Sequence, residues 1–149
     1  MSNKHQTLLG FDYGRMSIGV AVGQTVTKTA KPLLALKAEN GLPAWEVVAE
    51  LIQSWKPDCL VVGLPLGMDG KPQETTEKAL QLAKELHSHF HLPVYTIDER
   101  LTTVEAKARL FEQGGYRALG KSAIDAVSAQ IILESWMSQE SDIQHASYF

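Results

Sequence analysis

The sequence predicts an α/β domain in which helices cover a mixed β-sheet. Three observations predict it. Apolar residues near the N-terminus follow the two-residue alternation of strands joined by a short turn. Further along, apolar residues recur at helical spacing. Short apolar runs then alternate with helical segments, a pattern typical of parallel strands. Hydrophobic residues make up 44% of the chain and charged residues 21%, which are ordinary values for a globular protein.

The N-terminal part is predicted to contain three strands. Residues 7–13 and 17–23 are joined by a short link that contains Gly14, so they are predicted to pair as an antiparallel hairpin. A third strand is predicted over residues 27–36, where Pro32 favours an edge position because proline lacks a backbone N–H.

The rest of the chain is predicted to alternate helices with strands. In chain order the elements are a helix over 43–54, a strand over 58–65, a helix over 74–90, a strand over 92–99, and helices over 102–113 and 122–137. The first of these strands is a continuous apolar run, typical of a strand buried on both faces. We expect residues 1–138 to form one domain and residues 139–149 to form a polar, flexible tail.

Composition narrows the class of protein. The net charge of −3 lacks the basic excess of many nucleic-acid-binding proteins, although a local basic patch is enough for binding. No apolar run approaches the roughly 20 residues of a membrane helix, and the N-terminus lacks an apolar signal-peptide core. The single cysteine, Cys59, is predicted to be a small core residue, and its lack of a disulfide partner fits a reducing compartment. Together, these features lead us to expect a cytoplasmic protein without a membrane partner.

Acidic residues stand at three places where solvated charges are not expected. Asp12 interrupts an apolar strand, the pair Asp98-Glu99 ends the last predicted strand, and Asp125 lies in the first predicted turn of an apolar helix. Neighbouring strand residues face opposite ways, so only one of Asp98 and Glu99 can point into a shared site. Structural interpretations are also open: a turn residue for Asp12, solvated charges for the pair, and a capping box with Ser122 for Asp125.

A shared site requires these acids to meet. The first and last strands could lie side by side at the centre of the sheet, with the final helix starting over their ends. Carboxylates gathered there repel one another unless a cation neutralises them. Oxygen ligands select Mg²⁺ or Mn²⁺, and two such ions about 4 Å apart can stabilise both oxygens of phosphodiester cleavage. The misplaced acids therefore predict a metal-dependent phosphoryl-transfer site.

Five motifs between residues 8 and 136 carry a family resemblance: FDYGRMSIGVAVG, LVVGLPLGMDG, DERLTTVEA, LFEQGGYRAL and KSAIDAVSAQIILESW. With these motifs in this order, the chain resembles the YqgF/RuvX family of Holliday-junction-resolvase-like proteins, which are described as pre-16S rRNA nucleases. The resemblance implies an RNase H-like fold, with a five-stranded mixed sheet in the order 3-2-1-4-5 flanked by helices. It also implies a nuclease that uses Mg²⁺ or Mn²⁺ and processes the 5′ end of precursor 16S rRNA in ribosome biogenesis.

The resemblance also implies the site residues. Asp12, Glu99 and Asp125 match the family's catalytic acids and metal ligands, and Asp98 is a further candidate ligand beside Glu99. Basic residues that flank these acids in sequence are candidate nucleic-acid contacts, with solvated surface charge as the alternative; they are Arg15, Arg100 and Lys121.

Two departures from the family's pattern bear on the substrate. Related junction resolvases place a fourth acid close to the helical one, whereas Ser128 and Ala129 carry no carboxylate. The loop GLPLGMDG has Gly67 where asparagine is frequent, and its Asp69-Gly70 pair is more typical of a plain turn. The missing fourth acid argues against junction cleavage as the main activity.

Other residues that suggest chemistry have structural interpretations. His87, His89 and His91 alternate, but they fall at a predicted helix end, where such side chains suit the helix dipole better than they would bind zinc. Trp45 and Trp55 recur at helical spacing and are predicted to pack in the core rather than stack on bases.

Alternative functions stay open at this point. The chain could be a resolvase of Holliday junctions or other structured DNA, or a non-catalytic nucleic-acid-binding module of the ribosome or transcription machinery. Actin-like kinases also begin with D-x-G and a hairpin, but they need two such domains and 149 residues are expected to supply one. The expected partners are structured RNA or branched DNA, and the expected state is a monomer or weak homodimer.

Overall fold

The computed structural model describes residues 6–67, 69–99 and 121–139. Within these residues the elements in chain order are β1 (Thr7–Asp12), β2 (Ser17–Gln24), β3 (Thr29–Glu39), β4 (Leu42–Pro43), α1 (Trp45–Trp55), β5 (Cys59–Leu64), α2 (Glu74–Phe90), β6 (Val94–Asp98) and α3 (Lys121–Gln139). The predicted helix over 102–113, and all but the first residue of the predicted tail, lie outside the described residues.

The strands form one sheet in the order β4-β3-β2-β1-β5-β6. The pairs β1–β2 and β2–β3 are antiparallel, whereas β1–β5 and β5–β6 are parallel. The predicted hairpin is therefore confirmed. The described sheet has six strands rather than the implied five, because the two-residue β4 is added at one edge. The other five strands lie in the implied order 3-2-1-4-5 when they are numbered without β4. The expectation that the first and last strands lie side by side is wrong, because β5 separates β1 from β6.

The third strand shows why its proline is tolerated. β4 pairs with β3 only at Ala38 and Glu39, so the edge of β3 around Pro32 forms no ladder with β4. The pairing with β2 shifts register between Val20 and Ala21, opposite this segment. As predicted, the proline lies on an edge strand of the described sheet and next to a register shift, which are positions where the missing N–H of proline is tolerated.

An apolar core lies on each face of the sheet. On one face, Leu9 packs in a cluster with Val48 of α1 and Leu82 of α2. On the other face, Leu8 packs in a cluster with Leu133 of α3. Because successive strand residues face opposite ways, membership of these clusters tells which face each strand residue occupies. Below, we call the second the α3 face.

The described helices match their predicted positions within three residues at each end. Trp45 and Trp55, at the two ends of α1, pack against the core cluster as predicted. α2 has the predicted bounds, and its start is closed by a reciprocal capping box between Gln73 and Thr76. The hydroxyl of Thr76 also donates to the carbonyl of Pro65, which ties the loop after β5 to the helix. None of the helices in the described ranges is long and apolar enough to cross a membrane.

Candidate active site

Asp12 ends the central strand β1 and lies on the α3 face. Leu8, four residues earlier, belongs to the core cluster on that face. A Cβ on Gly10 would stand 2.9 Å from Cδ2 of Leu133, so position 10 faces α3 as well. Alternation then places the Asp12 side chain on the same face. It is half-buried there, at the carboxyl end of the strand.

Glycines flank Asp12 on both neighbouring strands. Its register partners are Gly19 of β2 and Gly63 of β5. A Cβ on Gly19 would collide with the carbonyl oxygen of Asp125, so the α3 backbone rests directly on the strand there. A Cβ on Gly63 would stand 2.9 Å from Oε1 of Glu99. The two glycines therefore admit Asp125 and Glu99 on either side of Asp12.

Glu99 reaches this place across one intervening strand. It follows β6, which is not adjacent to β1, and its side chain lies over Gly63 with Oε1 buried. Ile97 belongs to the core cluster on the α3 face, so alternation directs Asp98 to the opposite face. Of the two neighbouring acids, the structure brings Glu99 to Asp12 and leaves Asp98 facing away.

Asp125 is held by β2. The hydroxyl of Ser17 donates a hydrogen bond of 2.7 Å to Oδ2 of Asp125. α3 begins at Lys121, so Asp125 lies in its second turn and Ser122 lies inside the helix. The capping-box interpretation is therefore wrong: Asp125 is too far along the helix to cap it, and its carboxylate bonds to a strand.

The described part of α3 supplies one carboxylate to the site. Its other acid, Glu134, accepts a 3.3 Å hydrogen bond from the backbone N–H of Ala30 on β3. Ala129, one turn after Asp125, is fully buried in the core under the helix, and Ser128 is half-buried. A fourth acid next to Asp125 is thus absent from the described helix.

Of the three predicted basic contacts, the structure describes the side chain of one. Arg15 is exposed in the link between β1 and β2, three residues after Asp12. Lys121 begins α3, but its side chain is not among those described, and Arg100 lies outside the described residues. Of the three predicted cations, Arg15 alone has a described side chain, and it is exposed in the link that follows Asp12.

Tyr13 is a neighbour of the site that sequence analysis did not identify. It points into the core on the face opposite Asp12, and its buried hydroxyl has no hydrogen-bond partner among the described residues. Its ring packs against Gly41, which has a positive φ of 80°. Burial raises the pKa of Tyr13 above its ordinary value of 10.0; the charge of Arg15 opposes that rise and the charge of Glu74 adds to it. In the sequence, the feature that could have indicated Tyr13 is its position directly after the anomalous Asp12.

The loop after β5 contains the turn predicted at Asp69-Gly70. The backbone N–H of Lys71 donates to Oδ1 of Asp69 at 3.0 Å, and Gly70 has a positive φ of 81°. The turn interpretation is confirmed. A Cβ on Gly67 would stand 2.9 Å from Nε2 of Gln73, so a larger side chain there requires Gln73 to move.

The three alternating histidines have different surroundings and different local roles. Nδ1 of His87 lies 3.0 Å from the carbonyl oxygen of Leu92. His89 stacks on Trp45, with ring centroids 4.1 Å apart and an angle of 21° between the rings. His91 has left-handed backbone geometry at the C-cap of α2. These contacts serve packing and helix termination.

The acids around Asp12 suit a hard divalent cation by donor type, since each offers carboxylate oxygens. Across the described ranges, no group of three or more His, Cys, Asp or Glu side chains is arranged to hold a metal ion by itself. Mg²⁺ commonly takes one or two protein carboxylates and completes its shell with water and substrate phosphate. By donor type alone, the carboxylates of Asp12, Glu99 and Asp125 suit ions whose coordination shells are completed by water and a substrate phosphate.

The sequence matches a family model described as "RuvX: Holliday junction resolvase" over residues 6–139. A protein of Shewanella denitrificans named "Putative pre-16S rRNA nuclease" is 56% identical over 138 residues, which cover 93% of this chain and 98% of that protein. A protein of the same name from Aeromonas hydrophila is 55% identical over 135 residues, which cover 91% of this chain and 96% of the relative.

A solved structure has a similar fold. RuvC of T. thermophilus, in complex with a Holliday junction substrate, matches with a TM-score of 0.60 at 17% sequence identity. The match covers 95% of this chain and 99% of RuvC. At this identity the likeness concerns the fold alone, and it confirms the RNase H-like architecture.

Proposed function

This chain belongs to the RuvX family, and from that premise we propose that it is a nuclease that hydrolyses phosphodiester bonds at the 5′ end of precursor 16S rRNA, using Mg²⁺ or Mn²⁺. One observation carries the proposal. Asp12 stands between Gly19 and Gly63, and these two glycines admit Asp125 and Glu99 to its sides. Acids from a strand, a strand end and a helix are thereby gathered at one edge of the sheet.

A different part of the structure holds each of the three acids in position. Asp12 is held by a central strand that pairs on both sides, and such rigid elements position functional groups better than loops do. Asp125 is oriented by the Ser17 hydroxyl, and Glu99 is confined by burial over Gly63. Divalent cations, when bound there, supply electrostatic stabilisation of the cleaved phosphate and a water of lowered pKa.

Substrate binding is proposed to depend on local rather than overall charge. The net charge of −3 opposes general attraction of RNA. We propose that Arg15, which is exposed and follows Asp12 by three residues, contacts a phosphate next to the cleaved one. We propose the same role for Arg100 and Lys121 from their sequence positions alone.

A substrate panel tests the proposal. Purified protein is incubated with Mg²⁺ or Mn²⁺ and three substrates: a precursor 16S rRNA fragment with its 5′ leader, an unstructured RNA and a four-way DNA junction. We expect cleavage of the leader, abolished by EDTA and reduced by about 100-fold or more in Asp12→Asn. If Asp12→Asn cleaves as well as the wild type, the site assignment is wrong.

Junction cleavage is the second candidate function. It is favoured by the description of the matching family model. Against it stands the absence of a fourth acid beside Asp125 in the described part of α3. Faster cleavage of the DNA junction than of the rRNA leader would favour a resolvase.

A metal titration separates a nuclease from a non-catalytic binding module. A ligand that binds the native state raises its melting temperature, so Mn²⁺ is expected to stabilise the wild type and to stabilise Asp12→Asn less. The Asp98→Asn variant is a matched control, since that acid faces away from the site. Absence of any shift at saturating Mn²⁺ would favour the binding module.

A further inference from the structure

Lys37 of β3 is directed to the α3 face, the face that carries Asp12. Its register partner in the antiparallel β2–β3 pair is Ser17, whose hydroxyl binds the carboxylate of Asp125. Directly opposed residues in such a pair share one face, with Cβ atoms about 5 Å apart. Leu36, the preceding residue, packs in the core cluster of the opposite face, as alternation requires. Lys37 is therefore a cross-strand neighbour of the residue that holds Asp125.

The strand registers also place Lys37 at the same end of the sheet as Asp12. Gly19 pairs with Asp12 on one side and with Ala35 on the other, so these three residues form a row across the sheet. Lys37 follows Ala35 by two residues, in the direction of the carboxyl end of β1. Two strand spacings, about 10 Å, separate β3 from β1. Lys37 thus flanks the acids on the side of β3.

The side chain of Lys37 is accessible to a ligand. It is exposed and forms no ion pair with any residue that the structure describes. The described part of α3 runs away from it, because Gln130 and Glu134 bond to the backbone of Ala30 at the other end of β3. The ammonium group is therefore open to a molecule that approaches the acids from solvent.

We propose that Lys37 binds an RNA phosphate that flanks the cleaved phosphate on the side of β3. This inference rests on the proposed nuclease function and adds a substrate-positioning residue to it. Lysine is a compact cation on a flexible stem, and contacts of this kind position a nucleic-acid strand without reading its bases. Because the net charge of the chain is −3, a cation at the edge of the site supplies a local attraction that the whole molecule lacks.

The competing role for Lys37 is charge balance within the protein. Asp125 lies beyond Ser17, and the exposed Glu39 follows Lys37 by two residues on the same face of β3. A cation with that role alone would alter metal binding and the cleavage rate without contacting RNA. The two roles therefore differ in whether the effect of Lys37 depends on one particular RNA phosphate.

Lys31 provides a matched control on the same strand. It is exposed and pairs with Val22, which packs in the core cluster on the face opposite the acids. Its Nζ lies 5.1 Å from the ring centroid of Trp55 in α1, which agrees with that direction. Lys31→Gln and Lys37→Gln remove the same charge from the same strand but from different faces. Both variants are expected to fold, and their melting temperatures check this.

The first experiment measures binding without cleavage. Asp12→Asn protein is titrated with a short single-stranded RNA that spans the cleavage site, over a range of KCl concentrations. Each phosphate contact to a single strand contributes about 0.7 to the slope of log K against log salt. Adding Lys37→Gln is expected to reduce the slope by about 0.7 and to weaken binding by about threefold to tenfold. Adding Lys31→Gln should change neither, and an unchanged slope with Lys37→Gln would overturn the inference.

The second experiment locates the phosphate. Methylphosphonate linkages, which lack the phosphate charge, replace single phosphates on either side of the cleavage site in otherwise identical RNAs. The wild type and Lys31→Gln are expected to lose about threefold to tenfold in kcat/KM at one flanking position. Lys37→Gln should show a loss of that size on the unmodified RNA and no further loss at that position, while Lys37→Arg should retain most of the activity.

Two outcomes separate a failure of this inference from a failure of the nuclease function. If Lys37→Gln cleaves more slowly but loses as much as the wild type at every methylphosphonate position, Lys37 only balances charge within the protein and the inference is wrong. Failure of the wild type to cleave any RNA would reject the nuclease function, and the salt dependence of binding would still decide whether Lys37 contacts a phosphate.

Discussion

The hydroxyl of Ser17 donates a hydrogen bond of 2.7 Å to the carboxylate of Asp125, 108 positions away in the sequence. The bond joins the start of β2 to the second turn of α3. Two positions along β2, Gly19 lets the backbone of Asp125 rest directly on the sheet. The helical acid is therefore held by its side chain and its main chain against β2, on the face of the sheet that also carries Asp12.

Removing the Ser17 hydroxyl is expected to reduce activity through Asp125. Ser17→Ala should lower the cleavage rate by about tenfold, since partners that orient metal ligands have effects of that size. It should lower the free energy of unfolding by about 1 kcal/mol. Single-turnover cleavage over a range of Mn²⁺ concentrations and urea unfolding measure the two effects. Ser138→Ala is the control, because that hydroxyl donates to Ser135 near the exposed end of α3; wild-type rates for Ser17→Ala at every Mn²⁺ concentration would contradict the prediction.

The two neighbouring acids at the end of β6 are expected to behave differently. Glu99→Gln should reduce cleavage by about 100-fold or more, because that carboxylate lies over Gly63 beside Asp12. Asp98→Asn removes one charge at the adjacent position and should cleave nearly as fast as the wild type. Rates on the rRNA leader under identical metal concentrations make the comparison. A greater loss in Asp98→Asn than in Glu99→Gln would reverse the assignment.

A methyl group at position 63 is expected to displace Glu99. In Gly63→Ala the new Cβ would stand 2.9 Å from Oε1 of Glu99 and 2.5 Å from Ile132. Such crowding typically costs about 1–3 kcal/mol, and here it should also reduce cleavage by the folded protein. Gly10→Ala crowds Leu133 on the same face without touching an acid. It should destabilise the fold to a similar extent yet retain activity per folded molecule, as determined by cleavage assays below the melting temperature.

The raised pKa of Tyr13 predicts that the free energy of unfolding falls at alkaline pH. Burial raises its pKa in the folded state, and the unfolded reference value is 10.0. Below pH 10 the tyrosine is protonated in both states and stability is unaffected. Above pH 10 the unfolded state loses the proton first, so stability falls as the pH rises through the folded-state pKa. Tyr13→Phe should show a smaller fall between pH 9 and 11 in urea unfolding; identical slopes for the two proteins would contradict this.

At neutral pH, Tyr13→Phe is expected to unfold at the same or a higher urea concentration than the wild type. The reason is that the buried Tyr13 hydroxyl has no hydrogen-bond partner among the described residues, and an unpartnered buried hydroxyl is costly to retain. This outcome would show that the hydroxyl does not stabilise the fold.

Sequence patterns alone identified most of the elements, because strand alternation and helical spacing are local properties. The hairpin, the buried strand β5 and the bounds of α2 follow from residues close together in the chain. Asp12 was anomalous for the same local reason, since a charge interrupts an apolar run. The five motifs added the sheet order and the three acids through family resemblance. These parts required no knowledge of what packs against what.

The positions of Asp12, Glu99 and Asp125 relative to one another follow only from the tertiary structure. That β5 separates β1 from β6, and that Glu99 reaches Asp12 across Gly63, depends on which strands pair at long range. The same is true of Gly19, whose missing side chain matters only because α3 rests on it. A glycine in a sequence indicates freedom of the backbone, whereas the space it leaves acquires meaning from its neighbours in the folded chain. The sequence by itself therefore identified Asp12 as an anomalous charge in an apolar strand, and the packing of the sheet placed Glu99 over Gly63 and Asp125 over Gly19, the two register partners of Asp12.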